Sequence, residues 1–212
     1  VAVGTLLHLA QQHGFELPKP DAKAPAPDPA ELARQRQQRA EREQAERQAT
    51  QQAQAQAAQR ATELWAAGSA APADHAYPRR KGVQPHGLRV GHDGWLLVPL
   101  RDADGTLWNV QRIAPVKPAD GGPDKLFLKG GRVAGLFCLL GDLAGAAAVL
   151  VGEGYATCAT LHESTGRPVA VAFNANGVKS VAKAVRKPAP GALVVACGDD
   201  DAATHARTGK NP

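Results

Sequence analysis

The chain has 212 residues, 43% hydrophobic but only 4% aromatic, with 25 Lys and Arg against 20 Asp and Glu. No run approaches the roughly 20 apolar residues of a membrane helix. The start, Val1-Ala2-Val3-Gly4, lacks the basic region and cleavable apolar stretch of an export signal, so a cytoplasmic chain with no membrane partner is expected. The charge is unevenly spread: residues 1–72 carry eight basic and eight acidic side chains, whereas residues 73–212 carry 17 and 12, so the whole net charge of +5 falls on the second part. Cys138, Cys158 and Cys197 are odd in number, widely spaced and set in apolar runs, which reads as buried thiols of a reducing compartment, not a disulfide set or a zinc knuckle. A chain that begins without Met and stops at Asn211-Pro212 reads as part of something longer.

In chain order, residues 1–28 are expected to be the end of a preceding domain and a linker. A short apolar helix with Leu6, Leu7 and Leu9 leads into Pro18, Pro20, Pro25, Pro27 and Pro29, which favour extended geometry. Residues 29–72 hold a long helix of Ala, Gln, Arg and Glu, with Asp28 as N-cap and Pro29 at the first helical position. With Ala as its main apolar residue and no heptad seam of larger ones, it reads as a solvated spacer.

Residues 73–142 predict a small antiparallel β unit. His86–Val90, Trp95–Leu100 and Thr106–Ile113 alternate with the turns Gly91-His-Asp-Gly94 and Asp102-Ala-Asp-Gly105, a strong hairpin pattern. Lys125-Leu-Phe-Leu128 adds a further strand before the turn Lys129-Gly-Gly-Arg132. Residues 143–212 then alternate strand and helix: apolar strands at 146–151, 168–173 and 192–196, each read as buried on both faces, with helices at 155–164 and up to about 186. That order predicts an α/β parallel sheet with right-handed crossovers, whose ligands sit beyond the strand C-terminal ends.

Both acidic features of this part fall at strand C-termini, Glu153 after the first strand and Asp199-Asp200-Asp201 after the third. Carboxylates gathered on one sheet edge repel unless a cation sits between them, and hard oxygen donors suit Mg²⁺, with Mn²⁺ as a substitute. Asn174 ends the second strand on the same edge, where a hydrogen bond near the site and a plain turn are both open. Two competing motifs fail. Gly152-Glu-Gly-Tyr-Ala-Thr157 lacks the third glycine of a dinucleotide fingerprint, and His162-Glu163 lacks the second His of a zinc-protease helix because Gly166 stands there.

A Glu-Gly after an apolar strand, followed some 45 residues later by a second strand ending in Asp-x-Asp, resembles the Toprim domain of bacterial-type primases, topoisomerases and some nucleases. The flanking series is similar to Toprim primases of plasmids, phages and mobile elements. It runs Tyr77, Arg80-Lys-Gly-Val83, Leu97-Val-Pro-Leu-Arg-Asp102, Asn109-Val-Gln-Arg-Ile113, Phe127-Leu-Lys-Gly-Gly131, Gly152-Glu-Gly-Tyr-Ala-Thr157 and Ala172-Phe-Asn-Ala175. The resemblance spans residues 62–212 and implies a β subdomain followed by a Rossmann-like Toprim domain, here expected to be incomplete at its C-terminus. It implies Glu153, Asp199 and Asp201 as catalytic and metal-holding residues, with Glu153 as base, acid or ligand. It further implies Mg²⁺-dependent synthesis of RNA primers on single-stranded DNA from ribonucleoside triphosphates, with a replicative helicase as partner. Arg101, Arg112, Lys125, Lys129 and Arg132 are the expected nucleic-acid and nucleotide contacts. A Toprim nuclease and a non-catalytic single-strand-binding module are the competing functions, while Tyr77 and Tyr155, the two tyrosines, offer no topoisomerase context.

Overall fold

The computed structural model describes residues 3–15 and 28–198, and the chain divides into two units, Val1–Glu46 and Arg47–Pro212. In the first, helix α1 (Val3–Gln12) and the start of helix α2 (Pro29–Ala67) are described. The expected Pro-rich linker lies largely outside the described residues. Helix α2 begins where the sequence places it: the Asp28 Oδ1 accepts from the Ala30 amide at 3.0 Å, and Pro29 occupies the position where an amide hydrogen would have no intrahelical partner. Its exposed face is laced with i,i+4 pairs, Arg39–Glu43 at 2.9 Å and Gln35–Glu31 at 3.1 Å, each worth a few tenths of a kcal/mol. Among the described residues no helix is long and apolar enough to cross a membrane.

The part of α2 within the second unit is no mere spacer. Ala57 and Ala61 are fully buried, and Arg60 donates to the Lys129 carbonyl at 2.9 Å. The helix has few large apolar side chains because it is packed by close approach: a Cβ on Gly130 would stand 3.3 Å from the Ala53 Cβ.

Five antiparallel strands follow in simple order: β1 (Ser69–Ala70), β2 (Arg89–Val90), β3 (Leu96–Arg101), β4 (Leu107–Ile113) and β5 (Lys125–Phe127). The two expected turns form, with the Gly94 amide donating to Gly91 O at 2.9 Å and the Gly105 amide to Asp102 O at 3.0 Å. A six-residue helix, α3 (Ala76–Lys81), stands between β1 and β2 and ends on Gly82 in the left-handed region. Neither β1 nor α3 has enough residues to show a period in the sequence.

The second sheet has the order β6-β8-β7-β9. It is built from β6 (Cys138–Leu140), β7 (Ala148–Gly152), β8 (Val169–Val171) and β9 (Leu193–Ala196), with α4 (Tyr155–Thr165) and α5 (Ala175–Val185) as crossovers. Strands β8, β7 and β9 are parallel and β6 pairs antiparallel with β8, so the protein is mixed α/β with one antiparallel sheet and one mixed sheet. Two expectations change. Residues 138–140, read as part of the antiparallel unit, are an edge strand of the mixed sheet. Strand β9, read as buried on both faces, has Leu193 at 66% and Val195 at 37% exposure, because it is the outer strand beyond β7 among the described residues. Strands β7 and β8 are buried throughout.

Alternating side chains of β7 feed two cores. Val149 and Val151 pack with Val181 and Val185 of α5. Leu150 packs on the α4 side with Cys158 and Ala159, and this core continues into Leu96, Val98 and Ile113 of the antiparallel sheet. The two sheets therefore share one apolar interior. Cys138 and Cys158 are buried in it as expected, whereas Cys197 is half-buried.

Candidate functional site

The site is built at the C-terminal edge of the parallel strands. Glu153 directly follows β7, and Gly152 before it is demanded by packing: a Cβ there would stand 2.8 Å from the Cys158 Sγ of α4. The β7–β8 pairing runs past the regular strands, with the Ala172 amide on Gly152 O at 2.8 Å and the Phe173 amide on Glu153 O at 2.7 Å. Phe173 adopts a φ of 70°, a conformation that costs a non-glycine residue on the order of 1–3 kcal/mol. Its ring is held edge-on by Phe127 of β5, centroids 5.8 Å apart, so the antiparallel sheet reaches the rim of this edge.

The Glu153 backbone is thus fixed, while its half-buried carboxylate makes no hydrogen bond or ion pair with the described residues. On the other side of β7, Val151 is in register with Ala196, and the Cys197 amide donates to Val151 O at 2.8 Å. Gly198 is the last residue described on this side. Asp199, Asp200 and Asp201, the other expected acids, lie outside the described residues. Among the described residues no group of three or more His, Cys, Asp or Glu is placed to hold a metal ion. Asn174 takes the capping option: its Oδ1 accepts from the Gly177 amide at 2.8 Å and starts α5. Gly177 is needed there, since a Cβ would stand 2.5 Å from Ala172 O.

A search of known proteins finds the chain 35% identical over 198 residues to DNA primase TraC of Escherichia coli, covering 90% of this chain and 18% of that protein. A second Escherichia coli protein of the same name is 34% identical over 141 residues, covering 64% of this chain and 9% of its own length. Over these stretches the chain is similar to plasmid-type primases of that name. It spans less than a fifth of these curated relatives. No protein-family model and no solved structure matches it.

The five expected cationic contacts are not equivalent. Arg101 donates to Gly105 O at 2.8 Å and lies 5.7 Å from the Trp65 ring centroid. Arg112 is ion-paired to Asp93 and stacked 4.7 Å over Trp95. Arg132 donates to Ala134 O at 3.2 Å and covers Trp108 at 5.4 Å. Each guanidinium is engaged by the protein's own loops and a tryptophan. Lys125 and Lys129 are exposed, and Lys125 is two residues from Phe127 on the same strand, the one that reaches Phe173.

Sequence reasoning missed the tie that orients α4. Glu163 Oε1 accepts from the Gln84 amide at 2.7 Å and meets His86 Nε2 at 2.6 Å. The His86 ring stands edge-on to His162, centroids 5.1 Å apart. Partial burial alone would raise the Glu163 carboxyl, but the Gln84 and His86 hydrogen bonds and the nearby imidazoles outweigh it and hold the group below its ordinary value. The partners lie nearly 80 residues apart in sequence, with no motif linking them.

Proposed function

We propose that the chain belongs to the catalytic part of a primase-type nucleotidyltransferase of plasmid kind, its mixed sheet being a Toprim domain that joins ribonucleotides on single-stranded DNA. The observation that carries the reading is the position of Glu153: a carboxylate unengaged by the described residues, on a fixed backbone at the C-terminal end of β7, beside β9, which Asp199 follows by three residues in the sequence. The names of the relatives support the same activity. These oxygen donors fit a hard divalent cation, and Glu153, Asp199 and Asp201 are the residues that would hold it. Bound Mg²⁺ polarises phosphoryl oxygens and neutralises charge that develops in the transfer.

The chain's own residues supply positioning. Glu153 takes the proton of the attacking 3′-hydroxyl or serves as a ligand; either role needs a carboxylate presented from a fixed position, and the bonds from the Ala172 and Phe173 amides to the Gly152 and Glu153 carbonyls fix the backbone that carries it. Lys125 and Lys129 offer phosphate contacts that tolerate any sequence and weaken with salt.

Incubated with Mg²⁺, ribonucleoside triphosphates and single-stranded DNA, the wild-type protein should make short RNA primers. Glu153→Gln and Asp199→Asn should each lower synthesis by about 100-fold or more. Unchanged priming by these variants would sink the assigned site. Metal-dependent cleavage without primers would replace the reading with a nuclease, and salt-sensitive single-strand binding with no turnover would replace it with an accessory module.

A further inference from the structure

A second basic locus shares only Lys125 with the five cations considered so far. Helix α3 and the loop that leads into β5 enclose a half-open pocket of about 410 Å³ lined by Tyr77, Arg80, Lys81, Lys117, Asp124 and Lys125. Four cations thus face one carboxylate. Tyr77 is 1% exposed, and its hydroxyl is the one buried side-chain polar atom without a hydrogen-bond partner among the described residues. A buried phenol left unpaired costs on the order of 1–3 kcal/mol.

The simplest structural account covers only part of this. Arg79, Arg80 and Lys81 sit in the last turn of α3, where cations complement the helix dipole. That leaves Lys117 and Lys125, which come from other segments, and leaves the hydroxyl unexplained. Arg80 uses Nη1 on Pro115 O at 2.9 Å, which fixes the loop and keeps further guanidinium N–H groups in hand. Its carbon and the Lys125 Nζ stand 5.7 and 5.8 Å from the Tyr77 ring centroid. Burial, reinforced by the Asp124 carboxylate, pushes the phenol above its ordinary value of 10.0, so Tyr77 remains a neutral O–H donor at physiological pH. Several N–H donors around a single space match an acceptor with many oxygens.

We propose that this pocket is a phosphate-binding subsite, with Arg80, Lys117 and Lys125 as its donors. Its affinity for phosphate stands on the pocket alone; that the phosphate belongs to a nucleoside triphosphate or to a nucleic-acid backbone rests on the primase reading. The pocket adjoins the carboxylate edge through Tyr77, which shares a core with Tyr155 and Phe173; Tyr155 follows Glu153 by two residues.

The test is calorimetric titration of the 212-residue protein without divalent metal, using inorganic tripolyphosphate, ATP and an oligothymidylate in turn. Lys117→Gln combined with Lys125→Gln should weaken tripolyphosphate binding about tenfold or more. Asp124→Asn should tighten it. Lys179→Gln combined with Lys183→Gln, an exposed pair on α5, removes the same charge elsewhere and should leave it unchanged. Equal loss in this control, or wild-type binding by the pocket variants, overturns the proposal. Pocket-dependent binding of ATP at high salt assigns the triphosphate, and binding of the oligothymidylate alone assigns the backbone. If priming depends on Glu153 while the pocket variants bind normally, the subsite falls and the primase reading stands; if the pocket variants lose tripolyphosphate and no primer is made, the reverse holds.

Discussion

Glu153 sits between two glycines, and in the sequence the pair looks symmetrical. It is not. Gly152 is held against the Cys158 Sγ, whereas a Cβ on Gly154 would meet nothing nearer than the Thr157 Oγ1 at 4.0 Å. Gly152→Ala should therefore destabilise the protein by about 1–3 kcal/mol through overpacking, and Cys158→Ala in the same chain should restore much of the loss, because the two sites are in direct contact. Gly154 has ordinary extended angles at the α4 N-cap, so Gly154→Ser should stay within about 0.5 kcal/mol of wild type. Urea unfolding midpoints of the four proteins check the pattern. Thiol chemistry separates the cysteines in the same way. Burial pushes Cys138 up to about 12, and the thiolate is the reactive form. A disulfide reagent added to the native protein should label the half-buried Cys197 first and leave Cys138 until unfolding; early labelling of Cys138 would contradict its place in the core. Asp199 lies outside the described residues, whereas the place of Glu153 at the sheet edge was legible because it ends an apolar run. Phe173 was not, since its positive φ comes from pairing with Glu153 and from the Phe127 ring, neither of which leaves a local mark.

Among the elements, α2 separates what composition can and cannot reveal. Its start was readable from Asp28 and Pro29, and its length from an unbroken run of good helix formers. The contact of its second part with the sheet was hidden, because burial there uses Ala53, Ala57 and Ala61, four residues apart, and small side chains carry little hydropathy contrast. The energetic signature is steric. Ala57→Leu or Ala61→Leu should force the helix off the 128–131 turn and lower stability by about 1–3 kcal/mol, whereas Ala55→Leu, on the exposed face, should be near neutral. Thermal unfolding followed by the far-ultraviolet signal distinguishes the cases; equal tolerance of leucine at all three positions would show that the helix is only a spacer. Strand β9 fails in the opposite direction. Its hydropathy matches that of β7, but hydropathy does not encode order in the sheet, and only the register with β7 shows that β9 is the outer strand among the described residues.

At the scale of the second unit, the decisive feature is the junction of the two sheets. Leu96, Val98 and Ile113 from one and Leu150, Val169 and Val171 from the other form a single core, so a residue that ties the connecting segments acts on both. Glu163 is one such residue, joining α4 to the Gln84–His86 segment ahead of β2. Its carboxyl is held below the ordinary glutamate value of 4.5 by the Gln84 amide, His86 and His162, against the opposing effect of partial burial. The folded protein then binds this proton less readily than the unfolded chain does, so stability rises with pH across the interval between the two values. The contribution is complete above about 4.5, the unfolded value, and is lost as the pH falls through the lower folded one. Glu163→Gln removes the titration. It should reduce stability at neutral pH by about 1–2 kcal/mol, the cost of weakening a charge-assisted bond to a backbone amide, and should flatten the acid limb of the stability profile below 4.5. Denaturant unfolding of wild type and Glu163→Gln from pH 3 to 7 reads both effects. An acid limb as steep in Glu163→Gln as in wild type would place the proton-linked tie between the sheets elsewhere.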